Sequence, residues 1–80
     1  MNKLLVFSAS WCAPCSRMKP VLENLDQSQI IKYDVDSSDD ELVQYGVRGV
    51  PTFVAVDAEG NEVGRIVGET TLEELEKLLA

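Results

Sequence analysis

A chain of 80 residues has room for one domain built on one modest core. Its hydrophobic fraction of 45% is ordinary for a globular protein, and no apolar stretch is long enough to span a bilayer. A formal net charge of −7 argues against nucleic acid as a direct ligand, because phosphate binding takes clustered Lys and Arg.

The chain opens Met1-Asn2-Lys3-Leu4-Leu5-Val6-Phe7. This apolar run is too short for a secretory leader, so a cytoplasmic protein is expected. Residues 3–7 do not alternate, as suits a central strand covered on both faces.

Trp11-Cys12-Ala13-Pro14-Cys15 follows, holding both cysteines of the chain. A C-x-x-C where a strand passes into a helix is a redox motif. The helix N-terminus offers free N–H groups and partial positive charge, which stabilise a thiolate at Cys12. Cys15, one turn on, lies on the same face. Pro14 fits the first turn, where a missing N–H costs little. Two blander readings compete. A structural bridge closing so small a loop stabilises least. A structural zinc site wants four ligands, and the chain has no His and no second Cys pair. No metal is expected. In a reducing compartment a lone C-x-x-C cycles rather than persists as a staple.

The spacing predicts a helix from Cys12 to about Asp26, with Met18, Val21, Leu22 and Leu25 as its buried stripe and a kink at Pro20. Ile30 to Asp36 alternates: Ile31, Tyr33 and Val35 on one face, Lys32, Asp34 and Asp36 on the other. Its charges suit a sheet edge, where they discourage pairing with a neighbour. Ser38 with Glu41 reads as a capping box for a helix to about Tyr45, stopped by Gly46. Phe53 to Val56 is apolar on both faces, and the turn at 58–61 leads into a return strand from Glu62 to Val67. Thr71 with Glu74 is a second capping box. Leu72, Leu75, Leu78 and Leu79 form the last helix's stripe, and Glu73 is spaced to pair with Lys77.

The order is β-α-β-α-β-β-α in a single domain over residues 1–80. The fold class is α/β, a four-stranded mixed sheet with helices on both faces. The first two strands are expected to run parallel through a right-handed crossover, and the last two antiparallel.

These residues resemble the thioredoxin family. The resemblance rests on Trp11-Cys12-Ala13-Pro14-Cys15, Pro20, Lys32 to Asp36, Tyr45-Gly46-Val47-Arg48-Gly49-Val50-Pro51-Thr52, Gly60 and Gly68. It covers nearly the whole chain, and the short length is similar to compact thioredoxins and glutaredoxins of phages and archaea. The family usually has an extra strand and helix ahead of the first strand seen here. It also usually buries an aspartate in the first strand, beneath the second cysteine, where this chain has Val6. Lys32 matches a lysine that normally accompanies that aspartate. Two readings of Lys32 stand open: a solvated edge residue, or a source of positive charge at the active site.

The resemblance implies a protein disulfide reductase with Cys12 and Cys15 catalytic, cycling between dithiol and disulfide with no bound cofactor. It implies a cis bond before Pro51, which sets the Val50 backbone beside Cys12 to pair with an extended substrate. Trp11, Ala13, Pro14, Gly49, Val50 and Pro51 are the expected substrate-binding residues. Expected partners are protein disulfides, such as ribonucleotide reductase, and a thioredoxin reductase or glutathione as electron source. A monomer is expected, with neither nucleic acid nor membrane as partner. The rival readings are a glutathione-dependent, glutaredoxin-like reductase and a redox-inactive binding subunit.

Overall fold

The computed structural model describes residues 2–80. Its elements in chain order are β1 (Lys3–Ser8), α1 (Ala13–Leu22), a 3-10 turn (Gln27–Gln29), β2 (Ile30–Asp34), α2 (Asp39–Tyr45), β3 (Thr52–Val56), β4 (Glu62–Val67) and α3 (Leu72–Leu79). The sheet order is β2-β1-β3-β4. β1 pairs parallel with β2 and antiparallel with β3, and β3 pairs antiparallel with β4. This is the expected mixed sheet, with β2 at one edge.

The non-alternating strands are the central ones. Leu4 to Phe7 of β1 and all of β3 are buried, because helices cover both faces. On one face, Leu4, Val6 and Phe53 pack with Met18 and Leu22 of α1 and Leu75 of α3. On the other, Leu5, Phe7, Val54 and Val56 pack with Val47, and Leu42 and Tyr45 of α2 close the cluster. The Phe7 and Tyr33 rings stack at 5.2 Å.

The first helix ends at Leu22, not near Asp26: it passes through Pro20 and then stops. The Asn24 and Leu25 N–H groups close tight turns onto the Val21 and Leu22 carbonyls, and Gln27 Nε2 adds side-chain bonds to the Leu22 and Leu25 carbonyls. Leu25 still packs on the core, from a turn. The second strand ends at Asp34, where Asp34 Oδ1 accepts the Asp36 N–H and folds the chain into a turn. Within it Ile31 is 41% exposed, while Ile30 joins the core under α1.

Ser38 caps α2 by position alone. Its backbone lies at φ −129°, ψ 46°, outside the extended region from which a capping side chain reaches back, and no side-chain cap bond forms. Three acidic residues in that first turn favour the helix dipole instead. Thr71 does cap α3, accepting the Glu74 N–H at 3.2 Å. Lys77 pairs with Glu74 at 3.7 Å, rather than with Glu73.

Gly46 ends α2 in the left-handed region, at φ 62°, a conformation that costs a side-chain-bearing residue about 1–2 kcal/mol. That stop turns the chain back toward the end of β1, where the cysteines sit.

Candidate active site

Cys12 is the N-cap of α1 and lies in extended backbone. Its sulfur therefore faces the open N–H groups of the first turn, and it accepts the Cys15 N–H at 3.2 Å. Ala13 opens the helix and Pro14 occupies its first turn, as the sequence implies. Cys12 and Cys15 are joined in a disulfide, with Cα atoms 5.3 Å apart. Both are largely buried, 5% and 7% exposed. Ala9 completes their cluster, and Val35 and Val50 pack against it.

The second part of the site comes from the loop between α2 and β3. The Val50–Pro51 bond is cis. Two hydrogen bonds hold this loop: Thr52 Oγ1 donates to the Gly49 carbonyl at 2.7 Å, and the Gly68 N–H donates to the Pro51 carbonyl at 2.8 Å. Val50 is thereby set against the cysteines, while among the described residues neither its N–H nor its C=O carries a backbone hydrogen bond. Trp11, Gly49 and Val50 line one groove, together with Val35, Val47 and Arg48.

Trp11 is 67% exposed. Its indole is held in place by Nε1, which donates to Asp36 Oδ2 at 3.1 Å. Sequence reasoning places Asp36 on the charged face of the edge strand and gives it no part in the site. Arg48 and Val35 are likewise groove residues that sequence reasoning leaves unassigned.

On the other side of the disulfide, Cys15 and Pro51 border a cavity of about 240 Å³ that reaches down to Val6. Val6 lies in register between Lys32 of β2 and Phe53 of β3. Among the described residues, no group of three or more His, Cys, Asp or Glu side chains is placed to hold a metal ion.

Residues 2–80 match the family model described as a thioredoxin-like domain. The chain belongs to the thioredoxin family. It is 40% identical to a thioredoxin from Chlamydia trachomatis, over 96% of this chain and 78% of that protein. It is 42% identical to thioredoxin H2 of Arabidopsis thaliana, covering 95% of this chain but spanning only 60% of the plant protein. Among solved structures, a mutant thioredoxin from Halobacterium salinarum superposes with a TM-score of 0.87 at 38% identity, over 98% of this chain and 71% of that one. The oxidised mitochondrial thioredoxin 3 of Saccharomyces cerevisiae gives 0.83 at 36% identity, over 95% and 74%. The Cys12–Cys15 pair is the C-x-x-C centre of this thioredoxin-family oxidoreductase, and it is present here in its oxidised form.

Proposed function

We propose that this chain reduces disulfides of protein substrates, with Cys12 as the attacking thiolate and Cys15 as the resolving thiol. The observation that carries the reading is the Cys15 N–H directed at the Cys12 sulfur at a helix N-terminus, since a donor and a positive dipole end both favour a thiolate there. In the reduced protein, Cys12 S⁻ attacks one sulfur of the substrate disulfide. A Cys12–substrate bond forms, and the other substrate sulfur leaves as a thiolate. Cys15 then loses its proton and attacks Cys12 Sγ. The Cys12–Cys15 bond forms, the second substrate sulfur leaves as a thiolate, and two electrons have passed to the substrate.

Trp11, Ala13, Pro14, Gly49, Val50 and Pro51 form the substrate-binding surface in this reading. The free backbone groups of Val50 pair with an extended segment beside the disulfide it presents. A thioredoxin reductase of the cytoplasm supplies the electrons. The reduction potential tests the assignment. A value near about −270 mV supports a thioredoxin-type reductase, whereas roughly −200 to −230 mV would place the chain with glutathione-driven glutaredoxins.

A further inference from the structure

We propose that Arg65 of β4 is a positioning residue for the reaction with protein disulfides: it fixes the end of α2 and so sets the loop that carries Val50 beside Cys12 and Cys15. The inference deepens the reductase reading above and rests on it for the substrate.

α2 has little to hold it by itself. It has seven residues, no side-chain cap bond at its start and no basic residue in its last turn. A helix this short is marginal without tertiary contacts, and its last carbonyls need donors. The Gly46 N–H donates to the Val43 carbonyl at 3.3 Å, and the Val47 N–H to the Leu42 carbonyl at 2.9 Å. The Tyr45 carbonyl accepts from Arg65 Nη2. Arg65 stands opposite Val54 in the β3–β4 ladder, so its side chain shares the sheet face that α2 covers. Its guanidinium brings the cation that the helix end lacks, where the dipole favours one. Glu62 orients that guanidinium: the carboxylate accepts from Nε at 2.7 Å and from Nη2 at 2.6 Å. With side chains 30% and 33% exposed, this pair is better shielded than Arg17–Glu69, at 59% and 44%.

β4 thus holds the loop at both ends. Arg65 fixes the near end at Tyr45. Gly68, the residue after β4, fixes the far end by donating its N–H to the Pro51 carbonyl at 2.8 Å. Between them, Val47 packs with Leu5, Phe7 and Val54 in the core and also lines the groove with Trp11 and Val50. A displaced end of α2 therefore carries through Val47 to the Val50 backbone groups that pair with an extended substrate. A loop already held in its binding conformation loses less on ordering. Among the described residues, the hydrogen bonds of the Arg65 side chain go to Glu62 and Tyr45 and none reaches β1 or α1. Arg65 acts on substrate binding, not on the thiols.

Two measurements on the full chain test this. In amide hydrogen exchange, Arg65→Met is expected to speed the Val47 N–H by roughly fivefold while the amides of β1 and β3 stay as in the unaltered chain. In steady-state turnover of insulin disulfides, Arg65→Met is expected to raise KM by about three- to tenfold with kcat kept, and to leave the reduction of 2-hydroxyethyl disulfide unchanged. Arg65→Lys, which keeps the cation but not the fork, lies between the two in both measurements. The exchange measurement needs no substrate, so it decides the part of Arg65 even where the unaltered chain leaves insulin intact, a result that overturns the reductase reading alone. Unchanged Val47 exchange in both Arg65→Met and Arg65→Gln overturns the proposal. So does an equal loss on both disulfides with β1 and β3 amides exchanging faster in step, which is general destabilisation.

Discussion

The Cys15 backbone N–H donates to the Cys12 sulfur across 3.2 Å, so the second cysteine of the motif supports the first by its main chain. This support survives replacement of the Cys15 side chain, because the donor is backbone. Cys15→Ser is therefore expected to leave the Cys12 thiol ionising more readily than an ordinary cysteine. Titration of Cys12 by iodoacetamide reactivity in that variant checks it. An ordinary thiol midpoint would mean that the helix end does not activate Cys12.

The groove predicts a substrate-size effect. Trp11 is exposed and held by Asp36, and Val50 offers free backbone groups. Trp11→Ala is expected to lower kcat/KM for a protein disulfide by about tenfold, or about 1.4 kcal/mol, and to change turnover of a small disulfide much less. Asp36→Ala releases the indole without removing it, so its effect on the protein substrate is smaller. Equal losses on both substrates would move Trp11 out of the binding surface.

Packing predicts where stability resides. Phe53 is fully buried between the face of α1 and the cavity floor. Phe53→Ala is expected to cost about 3–5 kcal/mol in urea unfolding. Val43, on α2, is 83% exposed, and Val43→Ala stays within about 0.5 kcal/mol.

Acid should weaken the fold by a predictable route. Hydrogen bonds from Ser28 hold the Asp26 carboxyl below its ordinary value, Arg65 does so for Glu62, and Arg17 for Glu69. Each group binds its proton less readily folded than unfolded. Its contribution is therefore fully present above the ordinary carboxylate values, 3.8 for Asp and 4.5 for Glu, and is lost as pH falls through the lower folded value. Asp26 and Glu69 are exposed, so their share is small. Arg65 also donates to the Tyr45 carbonyl at the end of α2, which makes Glu62 the informative site. Glu62→Gln is expected to flatten the fall in stability between pH 5 and acid, measured by denaturation at a series of pH values. An unaltered acid limb would show that the pair contributes nothing.

Most of the fold and both cysteines are legible in the sequence, because period and punctuation report them directly. Leu4 to Phe7 lacks alternation and is central; Gly46 and Thr71 stop and start helices where expected. The errors fall where local backbone angles and side-chain-to-backbone bonds decide. α1 gives way after Leu22 to backbone turns that Gln27 braces from its side chain, which periodicity does not encode. Ser38 has the right residue type for a cap but the wrong backbone angles. At the site, the C-x-x-C pair and the Val50–Pro51 loop are 35 residues apart from Cys15 to Val50, and only the family resemblance joins them in advance. Arg48 and Asp36 are brought to the groove by the fold alone.

In the proposed cycle Cys12 attacks and Cys15 resolves. Trapping tests it most directly. Cys15→Ser and Cys12→Ser variants are each reacted with an oxidised protein substrate and resolved without reductant. A stable mixed disulfide through Cys12 is expected in the Cys15→Ser chain and none in the Cys12→Ser chain. Adduct formation through Cys15 at a comparable rate in the Cys12→Ser chain would contradict it.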